Sequence, residues 1–287
     1  MTRRGLFAGL ATLDLVHTLE RPLGPDEKTV ALRQDIAAGG PAANAAVTFA
    51  ALGGEAVLVT ALGAHPLAGF ASAELASRAV RVLDATPDAT DPPAVSAVRV
   101  VAGSGERSVS SVNAAFVQAV APAEISELAA AADIVLVDGH HSGLALAAAR
   151  AAQAAGVPVL LDAGSWKPVF AELLPIVSAA ICSAEFAALS TLDALHATGV
   201  PWVAATHGAD PIEWSTGDAS GAIAVPQVPA RDTLGAGDAF HGAAAFALSR
   251  NVSWPDCLRF AAEVAAVRIQ HPGPRGWLAH LSALRRR

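Results

Sequence analysis

The stretch Asp133–Asp162, DIVLVDGHHSGLALAAARAAQAAGVPVLLD, decides the fold. It opens on a short, continuous apolar run, Asp133–Asp138, the pattern of a fully buried strand. Leu144–Ala155 is almost wholly Ala and Leu, which favour helix. Gly156 ends that helix, and Val157–Asp162 (VPVLLD) is a second buried strand. A strand, a helix and a strand, with both strands apolar throughout, form a βαβ unit of a parallel sheet covered on both faces. Working outward, Phe170–Leu174 reads as a short helix, and Ala179–Cys182 and Val200–Thr206 as further strands. At the other end Gly5–Ala11 is a buried first strand. Arg3-Arg4 before an apolar stretch superficially resembles a secretory or twin-arginine signal. Asp14 interrupts the stretch, and no small-x-small cleavage site follows, so the strand is the better reading. The fold class expected is α/β, a three-layer sandwich with a mostly parallel central sheet.

A second pattern interrupts this one. Asp84–Pro93 (DATPDATDPP) is a loop by composition. Ala94–Ala102 then reads as a strand, Gly103–Glu106 as a turn, and Arg107–Val112 as an alternating, half-exposed strand. Thr29–Arg33 (TVALR) reads as another strand of the same small sheet. The expectation is one domain over residues 1–287, with a small β-lid inserted from about 12–36 and 94–113.

Composition narrows the function classes. Of 287 residues, 53% are hydrophobic and 16% charged, too apolar for a disordered chain. No apolar run approaches the ~18 residues of a membrane span. The net charge of −7 argues against a nucleic-acid binder. Only Cys182 and Cys257 are present, which excludes a disulfide framework and suits a reducing, cytoplasmic compartment. There is no Tyr, and Lys28 and Lys167 are the only lysines.

Ligands of parallel sheets bind beyond the carboxyl ends of the strands. That directs attention to His140-His141, Ala163–Ser165, Ser183–Glu185 and His207-Gly208, and to two glycine-rich segments. The first is Ala38-Gly39-Gly40-Pro41-Ala42-Ala43-Asn44, which leads into a helix. Its paired glycines let backbone approach a ligand closely, and Asn44 in the first helical turn offers both a donor and an acceptor to hydroxyl groups. An ordinary turn and helix start would look similar. The second is Arg231-Asp232-Thr233-Leu234-Gly235-Ala236-Gly237-Asp238. It is neither a Walker loop nor a dinucleotide fingerprint. Yet Gly235, Ala236 and Gly237 present successive N–H groups at a helix N-terminus, an anion site by geometry and dipole. Asp238 could merely cap that helix, but a cap needs no preceding Gly-Ala-Gly. A carboxylate beside an anion cradle is what phosphoryl transfer requires of a base.

Taken together, GGPAANAA…LGG near residue 40 and DTLGAGDAFHGA near residue 235 closely resemble the two signatures of the ribokinase-like (PfkB) carbohydrate kinases. The stretch from Leu160 to Phe186 looks most like the ketohexokinase-type members. The resemblance spans essentially the whole chain. It implies an ATP-dependent kinase for a hydroxyl of a small sugar or sugar derivative. Asp238 would be the general base, and Gly235, Ala236 and Gly237 the anion hole. Asp14, Gly39, Gly40 and Asn44 would hold the sugar, with Asn113 reaching it from the lid. Glu185, Thr206, Gly208 and Thr233 would lie by the nucleotide with Gly235 and Gly237. Glu185 would act on Mg²⁺ through water. ATP and Mg²⁺ are implied as ligands, and room is left for an activating monovalent cation.

The chain departs from the family pattern at four places, one being the common Gly-x-Asp-x-x-Gly, which here reads Gly63-Ala64-His65-Pro66-Leu67-Ala68-Gly69. Pro41-Ala42 follow the paired glycines, where Lys or Arg and Gly are common. Cys182 replaces the Asn of the Asn-x-x-Glu motif, and a thiol is a poor ligand for a hard cation. Pro211 stands where Gly is usual. Two other functions stay open: a nucleoside or other non-sugar kinase on the same fold, and an idle ligand-binding homologue. The hairpin Ala94–Val112 has no aromatic residue, which favours a sugar over a nucleoside. His140-His141 lacks the spacing of a zinc site. Arg107 and Lys167 read as either solvated charges or contacts to an anion. Trp166, Trp202 and Trp254 read as packing residues. A lid sheet with one apolar face suggests a homodimer through the lids.

Overall fold

In a computed structural model, residues 2–117, 119–187 and 190–286 are described. The chain enters through β1 (Arg4–Ala8) and crosses into a lid with β2 (Thr12–Leu19) and β3 (Arg33–Gly39). It returns through α1 (Pro41–Ala51), β4 (Glu55–Thr60), α2 (Pro66–Ser77) and β5 (Val80–Asp84). The lid is completed by β6 (Val95–Val101) and β7 (Arg107–Ser111). The second half runs α3 (Ile125–Ala130), β8 (Ile134–Val137), α4 (Ser142–Ala154), β9 (Val159–Ala163), α5 (Phe170–Leu173), β10 (Ala179–Ser183), α6 (Ala184–Ala187), α7 (Leu192–Ala197) and β11 (Trp202–His207). An antiparallel pair, β12 (Asp210–Ser215) and β13 (Ser220–Ile223), closes the sheet. Then come α8 (Ala236–Ser249), α9 (Trp254–Ile269) and 3₁₀ turns over Gly276–Arg286.

The main sheet has the order β13-β12-β11-β10-β9-β8-β1-β4-β5, parallel from β5 to β11. Two cores flank it. One, rich in Ala, lies under α1, α8 and α9; the other lies under α4 and α5. The βαβ reading from Asp133–Asp162 therefore holds. The order reverses between β1 and β8, the switch point where open α/β sheets bind ligands.

The small residues of α8 serve close packing. A Cβ on Gly242 would lie 2.7 Å from Thr48 Cβ and 2.9 Å from Ala45 Cα, both on α1. The two helices therefore pack nearly backbone to backbone, with their N-termini side by side.

The lid is a four-stranded sheet, β3-β2-β6-β7, in which β2 and β6 run parallel. Register places Asp14 beside Ala37 and Ser96, and Ser96 beside Ser111. Two residues along on the same face, Val16 pairs with Val98; together with Val100 they pack against Leu234 of the second glycine-rich segment. The expected strand Thr29–Arg33 is corrected: the strand begins at Arg33, and Val30 and Leu32 are 90% and 61% exposed. TVALR has strand propensity but no sheet face to bury, and burial decides. The first strand likewise stops at Ala8, short of Ala11, because Gly9–Ala11 turn the chain into the lid.

Candidate active site

The second glycine-rich segment is built for a tight entry into α8. Gly235 caps the helix in the left-handed region, φ 69°, where a side chain costs about 1–2 kcal/mol. A Cβ on Gly237 would meet nothing within 4 Å. There is thus open space beside Gly237, while Ala236 N donates to Thr233 O at 3.3 Å. Behind them, buried Asp232 fixes the loop. Its carboxylate accepts from Leu234 N (2.9 Å), Gly273 N (2.9 Å) and Arg268 Nη2 (3.2 Å). Arg268 is itself 2% exposed.

Asp238 lies in the first turn of α8. Asn44 Nδ2 donates to its Oδ2 at 2.8 Å. Arg275 Nη1 donates to Asn44 Oδ1 at 2.9 Å, and its Nη2 to Ala38 O at 2.6 Å. Glu74 of α2 holds the guanidinium by two contacts, at 3.0 and 3.2 Å. Burial alone would push the Glu74 carboxyl up, but Arg275 and then Arg78 outweigh it and hold it below its usual range. A chain Glu74–Arg275–Asn44–Asp238 thus joins four distant parts of the sequence. Because Arg275 occupies Oδ1, the amide of Asn44 can present only its NH₂ to Asp238.

Asp14, on the lid, faces the same space. Asp14, Asn44, Gly235 and Arg275 line one narrow cleft. Thr12 Oγ1 donates to Asp14 Oδ1 at 2.6 Å. Burial pushes the Asp14 carboxyl above its ordinary range, and the nearby charge of Asp238 adds to this. Hydrogen bonds from Thr12 and Ser96, and the charge of Arg275, act the other way. A Cβ on Gly39 would overlap the Asp14 carboxylate and so displace it. Gly40 has φ 92°, and its Cβ would lie 2.5 Å from Leu10 O.

At the switch point, buried Asp138 ties three elements together. It accepts from Leu10 N (2.9 Å) after β1, Ala42 N (3.2 Å) in α1 and His140 N (3.0 Å) after β8. Under α8, His241 Nδ1 faces Gly237 O at 2.8 Å and Asp162 Oδ2 at 3.5 Å, and its Nε2 faces Ile181 O at 3.3 Å. Burial pushes Asp162 up, and His241 opposes this.

The other expected site residues lie apart from this cluster. Thr233 Oγ1 accepts from Arg107 Nη1 (2.8 Å) and donates to Gly105 O (3.0 Å), so its hydroxyl latches the lid hairpin to the loop. Arg107 is exposed, as a solvated strand charge would be, and also makes this contact. Asn113, two residues past the end of β7, has φ 47° and lines a separate cavity with His141. Thr206 Oγ1 donates to Cys182 O at 3.2 Å, Gly208 has φ 67°, and Glu185 is exposed in α6. Lys167 Nζ donates to Ser165 O at 3.3 Å and stands 5.1 Å from the Phe170 ring centroid. Trp202 stacks on Trp254 at 5.8 Å, the packing role expected of both.

Cys182 is buried in the core behind β10, where burial and then Asp162 push its thiol up to about 12. It stays a neutral thiol away from solvent. Among the described residues no group of three His, Cys, Asp or Glu could hold a metal. The exposed Glu185 carboxylate suits a hard cation that is carried mainly by phosphates and water.

Comparison with known proteins settles the family. The description "pfkB family carbohydrate kinase" matches residues 6–279. The chain belongs to the PfkB family. A ribokinase of Arabidopsis thaliana is 29% identical over 299 residues, covering 93% of this chain and 76% of that protein. An Arabidopsis thaliana ribokinase structure, complexed with ribose and ATP, superposes with TM-score 0.74 at 23% identity, over 98% of this chain and 99% of that one. An adenosine kinase from Sinorhizobium meliloti gives 0.80 at 19% identity, over 99% of each. The chain is thus a phosphotransferase with a hydroxyl acceptor, a sugar or nucleoside kinase with the ribokinase-like fold. Among the described residues no helix is long and apolar enough to cross a membrane.

The sequence reading missed Glu74, Asp138, Asp232, Arg268 and Arg275. Asp232 stood inside the quoted motif. Glu74 and Arg275 lie 201 residues apart and carry no local signal.

Proposed function

We propose that this PfkB kinase transfers the γ-phosphoryl of ATP to a hydroxyl of a small sugar, with Asp238 as general base. The observation that carries the reading is the first turn of α8. The helix N-terminus at Gly235–Gly237, with open space beside Gly237, adjoins Asp238, and the narrow cleft beside it brings in Asp14 and Asn44. Asp14, Gly39, Gly40 and Asn44 orient the acceptor through its other hydroxyls. As the acceptor oxygen bonds to phosphorus, its proton passes to Asp238 and the bond to the ADP oxygen breaks. The N–H groups of Gly235, Ala236 and Gly237, at the positive end of α8, stabilise charge on the transferring group. One such donor is worth about 3 kcal/mol. Glu185, Thr206 and Gly208 lie toward the nucleotide. Mg²⁺, held through phosphates and water near Glu185, would neutralise phosphate charge. The lid, latched by Arg107 and Thr233, excludes water and so limits hydrolysis of ATP.

Asp238→Asn tests this directly. Sugar-dependent ADP release should fall by about 10²–10⁴-fold. Retention of more than about a tenth of the activity would remove the assignment. We also propose that two copies pair through the lids. Ile36, 42% exposed, and half-buried Leu15 are register partners on the face of the lid opposite Asp14. A monomer by light scattering at micromolar concentration would exclude this.

A further inference from the structure

The first turn of α8 rests on a buried side chain that the chemistry above does not use. His241 lies one helical turn below Gly237, between α8 and the strands β9 and β10. Its side chain is 8% exposed, and that of Asp162 beside it 7%. Among the described residues, the polar atoms at the ring are all acceptors. Gly237 O lies 2.8 Å and Asp162 Oδ2 3.5 Å from Nδ1, and Ile181 O lies 3.3 Å from Nε2.

A neutral imidazole has a single N–H. With the proton on Nδ1, the Nε2 lone pair would face Ile181 O. With the proton on Nε2 and a protonated Asp162 donating to Nδ1, the other lone pair would lie 2.8 Å from Gly237 O. A ring with an N–H on both nitrogens donates to both carbonyls, and the Asp162 carboxylate meets its charge.

The surroundings are short of other positive charge. Burial pushes the Asp162 carboxyl up; the His241 ring opposes this most, Asp238 and Asp138 add to it, and Lys167 opposes it. Cys182, on β10, stays a neutral thiol. Three carboxylates and one lysine thus act on this region, and Pro41-Ala42 place no cation after the paired glycines. A phosphate group settling at the first turn of α8 would gain from a fixed cation behind it. The peptide joining Gly237 to Asp238 can carry the effect. Its carbonyl is on the imidazole and its N–H is in the first turn, and a charge-assisted bond at the one strengthens the other as a donor.

We propose that His241 is a positioning residue, held as an imidazolium against Asp162, that supplies a fixed positive charge behind the first turn of α8. The inference rests on the kinase reading above and adds a residue to it.

The first measurement is the nitrogen-15 spectrum of the histidine rings in the full chain. His241 is assigned as the signal that His241→Asn removes. At pH 7 both of its ring nitrogens should be protonated. Asp162→Asn removes the counter-charge and keeps the shape, so the ring should lose its second proton at a pH lower by about one unit or more. In turnover, His241→Asn keeps a donor for Gly237 O but carries no charge. Its kcat should fall about tenfold or more, while KM for the sugar stays within about twofold. The wild-type kcat should fall on the alkaline side as the ring loses its charge. That limb should be absent in His241→Asn and should begin at lower pH in Asp162→Asn. A ring with one N–H at pH 7 would overturn the proposal, and so would a folded His241→Asn that loses less than about threefold in kcat. Thermal melting shows whether that variant is folded; if it is not, the wild-type spectrum and Asp162→Asn still decide the question. The kinase reading fails separately, if no sugar releases ADP from the wild type, and the spectrum then still reports the charge on the ring.

Discussion

The proposed acceptor side and the proposed nucleotide side of this molecule are built differently. On the acceptor side, polar groups from α1, α2, α8 and the segment after α9 are already joined: Glu74 to Arg275, Arg275 to Asn44, Asn44 to Asp238. On the proposed nucleotide side, Glu185 is exposed, Gly208 has open space where a side chain would stand, and the Thr206 hydroxyl donates to the neighbouring strand. One half is organised before any ligand arrives. The other offers backbone and a few loosely held side chains that phosphates and metal must complete. Preorganisation belongs where geometry limits the rate, at the base and the attacking oxygen.

That contrast can be broken most severely at Asp232. Asp232→Ala leaves Arg268 buried and uncompensated and frees the loop before α8. Removing one partner of a buried pair costs about 3–5 kcal/mol, so a large drop in thermal midpoint is expected, measurable by calorimetry. Next is Arg275→Met. It removes the donor that fixes the Asn44 amide while keeping an unbranched side chain. A roughly tenfold to hundredfold loss in kcat is expected, since small misplacements of reacting groups have such effects. An unchanged kcat would show that Asn44 needs no such support.

A milder effect concerns pH. The Asp14 carboxyl is raised, chiefly by burial, so it takes up a proton at a higher pH than an ordinary Asp. Protonated, it no longer accepts two hydroxyl hydrogen bonds. KM for the sugar should therefore rise as pH falls, beginning above the usual carboxylate range, and Asp14→Asn should abolish that limb of the profile. The smallest effect is expected on the nucleotide side. Glu185→Gln should shift the Mg²⁺ dependence of turnover severalfold and leave sugar binding without ATP untouched. A larger loss there than at Arg275 would reverse the comparison.

What the sequence disclosed follows the same division. The strands of the parallel sheet were legible because buried strands announce themselves as short apolar runs. Gly235 to Asp238 were legible because an anion cradle and its carboxylate are contiguous. The network behind them was not. Arg275 and Asn44 are 231 residues apart, and neither neighbourhood marks the other. His141 was weighed only as half of a metal pair, since its burial is a property of the fold and not of the spacing. Thr29–Arg33 misled in the opposite way. It has the residues of a strand, but the lid offers no face to bury them.

The contact between Gly242 and Thr48 has a consequence for how errors spread in this protein. Because α1 and α8 meet at van der Waals distance, neither can slide without the other. Asn44 rides on one helix and Asp238 on the other. Asp14 comes from a different sheet, whereas those two are joined both by the helix contact and by their own hydrogen bond of 2.8 Å. The proposed base and the group that would aim it are one casting, and the tolerance for misalignment is set at a glycine a full turn below them.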